Sequence, residues 1–468
     1  MMNKLENVLR AMKKEQYELV VGTGHSDALS YAFRKKRVVH PQIASRPYSP
    51  KDAPRLWQQT MAQTDDSKKS RAAYIHIPFC SHMCLYCGFF QNYADEERET
   101  FYVDYLIKEL AMAKKSPYVQ SGLFQAVFFG GGTPSALSPK NAARLLQAVR
   151  DSLPLSCDCE ITFEGRVNDL ADDKISAWFD GGVNRVSIGV QSFDTKLRQA
   201  MGRIDSLEEV KARLENIAAY NQAAIIIDLI FGLPTQDEAK YLADLAIADA
   251  LPIDGMDLYQ LNLFDISPLK KAIDSGKIPA AATTAEQARL FAAAEKWLTE
   301  RAYKRLSNCH WAKNNRERSQ YNTLTKQGAE VFPFGAGAGG NVGGKMLFLQ
   351  RDINAYAKML DNGFKPLMVL AEQPSLQAIY NLVMRQMEMG YINLNILAKN
   401  FGEKVTELLP LIDIWEKNGL VKKGAELIWL TQAGRFWQMN LTQSIMECIE
   451  LIFNDIMENE VQRVAEQG

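Results

Sequence analysis

Three cysteines stand within one short run, Cys80-Ser81-His82-Met83-Cys84-Leu85-Tyr86-Cys87. Thiolates this close in sequence can converge on one metal centre when a loop carries them. A structural zinc site takes four ligands in two pairs, and no second pair follows, since Cys157 and Cys159 are two apart beside a strand-like run. Three ligands suit a [4Fe–4S] cluster in which one iron lacks a protein ligand. Such an iron is open to a substrate, by the logic that leaves a position free on catalytic zinc. Unrelated free thiols are the alternative. The spacing, the preceding strand and the aromatic Tyr86 argue against them.

A cysteine loop needs a scaffold, and the flanking sequence supplies one. From residue 72 short β-rich runs recur at 72–77, 125–129, 160–163, 185–190, 225–231 and 256–261. Between most of them lie amphipathic stretches, at 97–115, 139–152, 194–201, 207–219 and 239–250. Apolar spacing of three and four fits helices, and buried runs such as IIIDLIF fit internal parallel strands. The alternation implies right-handed crossovers and a parallel sheet. Six strand–helix units are fewer than the eight of a closed barrel. The expected fold is therefore α/β, an open, partial (β/α)6 TIM-like barrel.

The expected organisation is an N-terminal arm over residues 1–70, the barrel over 71–300, a post-barrel loop and glycine-rich region over 301–370, and a mostly helical, winged-helix-like domain over 371–468 with one hairpin near 420–430. Arg34-Lys35-Lys36-Arg37 reads as a solvated basic face of the arm, or as a lid or anion contact. Lys+Arg is 54 against Asp+Glu 55, a formal net charge of -1, which advertises neither nucleic acid nor a membrane surface as partner. A hydrophobic share of 47% and a charged share of 23% exclude wholesale disorder and collagen-like architecture. The first residues are charged with no apolar core of a signal peptide, and no run is long and apolar enough for membrane insertion. A reducing cytoplasmic location is the expectation.

YIHIPFC and CLYCGFF around the cysteines, then FFGGGTPS, EITFEG, RVSIGVQSF and IDLIFGLP, resemble the radical S-adenosylmethionine (SAM) superfamily. The match is detailed over about residues 72–265 and looser at the C-terminal LTQAGRFWQMNL. It is similar to the subgroup of the oxygen-independent coproporphyrinogen III dehydrogenase and the related haem chaperone. Within that subgroup, DALSYAFRKKRVVHP and the chain length look most like the haem-utilisation group of HutW and ChuW, anaerobic haem-degrading methyltransferases.

The resemblance implies that Cys80, Cys84 and Cys87 bind the cluster and that SAM, in two molecules, is the second cofactor. It implies SAM contacts for Tyr74, Tyr86, Gly131, Gly132, Thr133, Glu164, Gln191, Arg203 and Asp228, with Asn262 a weaker candidate. Glycines let a backbone approach an amino acid closely, although alone this triplet would be an ordinary turn. The acids and Arg203 fall at or just past strand ends, where barrels of this kind place active sites. Asp228 is costly to bury unpaired, so a structural ion pair is its alternative.

Haem is the implied substrate, with ring opening to a linear tetrapyrrole, a flavodoxin- or ferredoxin-type electron donor and a haem carrier as partners. A coproporphyrinogen dehydrogenase or a non-catalytic haem chaperone are the rivals. Phe89 stands where the dehydrogenase has a further cysteine, which counts against that enzyme. The glycine-rich stretch 335–344 lacks the strand–turn–helix context of a dinucleotide fingerprint. It resembles a segment near the substrate opening, and a plain flexible loop is the alternative. Among five histidines, His76 reads as structural and His310, in an apparent loop beside Cys309 and Trp311, as the candidate axial haem ligand. A surface or core role is the alternative for His310. His40 and Met384, Met387 and Met389 follow it.

Overall fold

The computed structural model describes residues 3–41, 43, 45–89 and 91–454. Two compact units divide the chain. The larger comprises 45–281 and 296–374, and the smaller 1–44, 282–295 and 375–468.

The larger unit is built on one sheet of thirteen strands. They are β1 (Arg46–Pro47), β2 (Arg71–Ile77), β3 (Phe124–Gly131), β4 (Leu155–Arg166), β5 (Arg185–Gln191), β6 (Ala224–Phe231), β7 (Gly255–Gln260), β8 (Lys304–Arg305), β9 (His310–Ala312), β10 (Glu330–Phe334), β11 (Gly339–Val342), β12 (Lys345–Leu349) and β13 (Leu367–Glu372). Their order is β1-β13-β12-β11-β10-β2-β3-β4-β5-β6-β7-β9-β8. Strands β2 to β7 run parallel in sequence order, as the six expected units require. The six parallel strands are those of the expected open, partial barrel.

The strands form where the sequence is β-branched and apolar on both faces. Ala224–Phe231 reads AIIIDLIF, and seven of its eight residues are buried. Only helices on one face and a filled interior on the other bury such a strand. The helix Glu96–Lys114 starts on Asp95, whose side chain accepts from Arg98 N–H, and Pro139–Ser152 starts on Ser138 in the same way. Leu207–Tyr220 opens with a capping box between Ser206 and Glu209.

A seventh parallel strand was not expected. β10, EVFPF, pairs with β2 from Glu330↔Arg71 to Phe334↔Ile75. Pro333 argues against a strand in sequence, and it is tolerated here because β10 meets β11 only at Val331↔Asn341. The glycine-rich stretch is not a loop throughout: β11 carries its second half, antiparallel to β12. Its first half is a turn held from below. Gly335 N–H donates to Glu109 Oε2 at 2.8 Å and Ala336 N–H to Tyr102 Oη at 2.9 Å.

The smaller unit is mostly helical, with a three-stranded antiparallel sheet of Tyr391–Ile392, Ile428–Leu430 and Val421–Lys423. The helices Leu394–Phe401 and Leu409–Lys417 lie between its first two strands in sequence, and Val421–Lys423 pairs with Ile428–Leu430 as the expected hairpin. Residues expected to begin an extended arm are instead helical, at Lys4–Ala11, Lys14–Val21 and Ala28–Tyr31. Buried tryptophans tie them to the C-terminal helices: Trp415 Nε1 donates to Val20 O at 3.1 Å and Trp437 Nε1 to Leu29 O at 2.9 Å. The basic run is absorbed by the same packing. Arg34 pairs with Glu18 at 2.9 Å, Arg37 with Glu447 at 2.8 Å, and Lys36 donates to Phe436 O while covering its ring. Three of its four side chains thus have partners within this unit. Among the described residues no helix is long and apolar enough to cross a membrane.

Candidate active site

The cysteine loop leaves the C-terminal end of β2 through Ile77-Pro78-Phe79. It is anchored at both ends and in the middle. Ala94 N–H donates to Cys80 O at 2.9 Å, Leu85 N–H to Met201 O at 3.2 Å, and Leu269 N–H to Leu85 O at 2.9 Å. Leu85 and Tyr86 pack on a buried cluster of Leu197, Met201, Ile230, Leu233, Leu261 and Leu269. Cys80 and Cys84 are buried, Cys87 is half-buried, and all three are free thiols. Thr133 Oγ1 donates to Cys80 Sγ at 3.3 Å, and Phe89 N–H to Cys87 Sγ at 3.3 Å. Burial pushes the Cys80 thiol up, against the Thr133 bond and the nearby Arg166 guanidinium.

Among the described residues no three His, Cys, Asp or Glu side chains converge on a single ion. Three thiols carried by one short loop suit a [4Fe–4S] cluster, in which each thiolate binds a different iron. Two glycine turns make room beside it. A Cβ on Gly132 would lie 2.6 Å from Phe79 O, and one on Gly202 would lie 3.0 Å from Met83 O and 3.6 Å from the Cys84 Cα. The backbones of both neighbouring loops therefore lie against the cysteine loop.

Inside the barrel, alternation places every second residue on the inner face. From β2 come Tyr74 and His76, whose Tyr74 Oη and His76 Nδ1 are 3.2 Å apart. His76 Nε2 is buried without a partner among the described residues, and burial lowers the ring to about 4, so it is neutral. Gly131, at φ +116°, faces this ring: a Cβ there would meet it at 2.7 Å. From β4 comes Glu164, so close to Gly130 that a Cβ would lie 2.9 Å from its Oε2. Burial and then the Asp228 charge push Glu164 up to about 8, opposed by the Gly131 N–H. From β6 comes Asp228, which accepts from Ser187 Oγ at 3.2 Å. Burial and then Asp257 push it up to about 7. Asp228 makes no ion pair among the described residues, and the Arg185 and Arg203 charges act on it from farther off.

A second group sits at the end of β5. Gln191 adopts a left-handed backbone, φ +73°, which turns the chain after the strand. Its amide and the Arg203 guanidinium both lie over Gly189, where a Cβ would be 2.8 Å from Gln191 Nε2 and 3.2 Å from Arg203 Nη2. Arg203 donates to Gly189 O at 3.1 Å and through Nε to Tyr86 Oη at 3.0 Å. That bond joins the strand end to the cysteine loop. Asn262 lies beyond β7 and turns its amide back to Gln260 O at 3.3 Å.

His310 is not where a haem ligand must be. It lies on β9, which pairs antiparallel with β7 and sets His310 opposite Asp257. It is 3% exposed, with Nδ1 2.8 Å from Asp257 Oδ1 and Nε2 3.0 Å from Glu317 Oε1. Both ring nitrogens are taken, so neither can reach an iron. The short run His310-Trp311-Ala312 carries too little pattern to be read as a strand. Met387 is buried as well, while Met389 is exposed.

Sequence reasoning missed Asp257, Ser187, and the Arg185–Glu317 pair, which closes through Arg185 Nε at 3.0 Å and Nη2 at 3.2 Å. Asp257 carried the same signal as Asp228, an acid inside an apolar strand. Tyr321, packed on Phe128 at 4.7 Å between ring centroids, comes from a helix with no local signature at all.

The radical SAM superfamily matches residues 74–246. The chain is 37% identical over 420 residues to the anaerobilin synthase of Escherichia coli O157:H7, covering 90% of this chain and 93% of that protein. It is 26% identical over 371 residues to the heme chaperone HemW of Bacillus subtilis, covering 78% and 96%. The structure of coproporphyrinogen III oxidase (HemN) from Escherichia coli superposes with a TM-score of 0.73 at 20% identity, covering 87% of this chain and 96% of that one, a likeness of fold. The similarity to anaerobilin synthase runs along almost the whole chain, and the cysteine loop stands at the head of the matched region. The chain belongs to the radical SAM superfamily.

Proposed function

We propose that this protein is a radical SAM enzyme that degrades haem without oxygen, by methyl transfer and opening of the porphyrin ring to a linear tetrapyrrole with release of iron. The observation that carries this reading is the 37% identity to anaerobilin synthase over 90% of the chain, which extends past the barrel into the C-terminal region. A [4Fe–4S] cluster and SAM are the cofactors. Cys80, Cys84 and Cys87 would hold the cluster. When bound, it supplies the low-potential electron that splits SAM into methionine and a 5′-deoxyadenosyl radical.

The chain's own residues bind, orient and exclude water. Gly131, Gly132 and Thr133 would receive the amino acid end of SAM beside the cysteine loop. Glu164, Asp228 and the Gln191–Arg203 pair would hold the rest along the strand ends, and Tyr74 would wall the interior. Arg203 does two things at once: its bond to Tyr86 fixes the cysteine loop against the strand end that carries Gly189. A shift of either part would misplace SAM relative to the loop, and misplacement near 1 Å costs about a hundredfold in rate. The electron comes from a flavodoxin- or ferredoxin-type donor, and haem arrives from a carrier, both in the cytoplasm.

The test is anaerobic: reduced, cluster-loaded protein with haem and SAM. Loss of the Soret band together with 5′-deoxyadenosine supports the reading. A persistent Soret band with haem bound supports a chaperone instead, and conversion of coproporphyrinogen supports the dehydrogenase.

A further inference from the structure

Asp257 belongs to no signature in the sequence, yet two registers fix its place. Parallel pairing sets it beside Asp228, on strands about 5 Å apart, and antiparallel pairing sets it opposite His310. His310 in turn lies between Asp257 and Glu317, at 2.8 and 3.0 Å. Glu317 also takes both forks of Arg185.

The chemistry of this row is constrained. A carboxylate is only an acceptor, so an imidazole whose two nitrogens both face carboxylates must donate from both, and only the imidazolium does so. Burial opposes the charge, but Asp257 and Glu317 together carry His310 up to about 9. The row Arg185–Glu317–His310–Asp257 is then two ion pairs, neutral overall and locked. Its last member is a fixed negative charge beside Asp228.

Among the described residues Asp228 has no cation within ion-pair distance. Facing it are Ser187 and Arg185 from β5, Asp257 from β7, Glu164 from β4 and Arg203 from the loop beyond β5. Arg185 is committed to Glu317, and Arg203 to Gly189 O and Tyr86 Oη. Three carboxyl groups thus share the interior with the hydroxyls of Ser187, Tyr74, Tyr259 and Tyr321, of which Ser187 donates to Asp228. Such a carboxyl group is held toward its neutral form, and a positive ligand shifts it to the carboxylate.

We propose that the Asp257–His310 pair is a positioning element of the SAM site: it holds a fixed negative charge against Asp228, which waits as the carboxylic acid and releases its proton to solvent when the SAM sulfonium occupies the strand ends. No covalent bond other than the carboxyl O–H is broken, and the proton goes to the buffer. The proposal rests on SAM occupying these strand ends, and the experiment separates the two ideas.

SAM is titrated calorimetrically into the cluster-loaded protein at pH 7 in buffers of different ionisation enthalpy, which counts protons released. Wild type is expected to release protons as SAM binds, and the SAM Kd to rise about tenfold for each pH unit below 7. In His310→Gln the Asp257 carboxylate loses its cation and takes the proton itself. The proton then sits one strand farther out, so SAM still binds, about one proton fewer is released and the pH slope flattens. Asp257→Asn should behave alike, and serves if His310→Gln does not fold. A merely structural pair would lower the melting temperature of both variants and leave the proton count untouched. Equal counts in wild type and a folded variant, or SAM binding by wild type with no proton released, would overturn the inference. Absence of any SAM binding would overturn the reading of the site itself.

Discussion

The cysteine loop and the row of acids inside the barrel, the two halves of the proposed site, are built in opposite ways. Between Cys80 and Cys87 the chemistry is packed into a few consecutive residues, and the fold's task is to anchor them through Leu85, Tyr86 and Ala94. Glu164, Asp228 and Asp257 are scattered over some ninety residues and meet only because β4, β6 and β7 lie in one parallel sheet. The loop's groups face one another by sequence spacing, the row's by register. A one-residue slip would turn every acid in a strand to the outer face, whereas the loop would keep its three thiols together. Local chemistry therefore tolerates an imperfect scaffold, and distributed chemistry demands an exact one.

The largest expected effect falls on the loop. Cys84→Ala removes one of the three proposed ligands, so reconstituted protein should lose the cluster, and with it all SAM cleavage. Iron and sulfide analysis checks this; full content in the variant would break the assignment. On the row, Asp228→Ala should weaken SAM binding about tenfold or more while the cluster spectrum stays normal, since a hydrogen bond to a charged group contributes about 1.5–3 kcal/mol. A thermal melt comes first, because the change leaves Ser187 without its acceptor.

Stability against pH sharpens the comparison further. His310 is raised from its ordinary 6.5 to about 9, so the native state holds a proton that the unfolded chain has lost between those values. That contribution is fully present below pH 6.5 and disappears as pH rises through 9. It amounts to on the order of 3 kcal/mol. Denaturant melts of wild type should weaken across this window, and His310→Gln should flatten the profile. The smallest effect is a control: Cys157→Ser, on the exposed start of β4, should change cluster content and stability by less than about 0.5 kcal/mol.

How much of this was legible follows from the same contrast. The six parallel strands and most helices were readable because their apolar periodicity is strong, and the helix 139–152 agrees end for end. The cysteine loop was readable from spacing. Arg203 was named, but its bond to Tyr86 spans 117 positions and has no sequence trace. β10 was missed because Pro333 masks it, and His310 was misread because three residues cannot reveal a strand. Its true neighbours, Asp257 and Glu317, are chosen by tertiary pairing. Sequence reasoning could have flagged Asp257 by the rule applied to Asp228, an acid within an apolar strand.

The central claim is that this site opens haem at the expense of SAM. Its most direct test supplies haem, a low-potential reductant and SAM deuterated at the S-methyl group under strict anaerobiosis, and measures the mass of the tetrapyrrole recovered. The account predicts an iron-free linear tetrapyrrole carrying deuterium from that methyl group. Haem recovered intact and unlabelled, while 5′-deoxyadenosine accumulates, would contradict it.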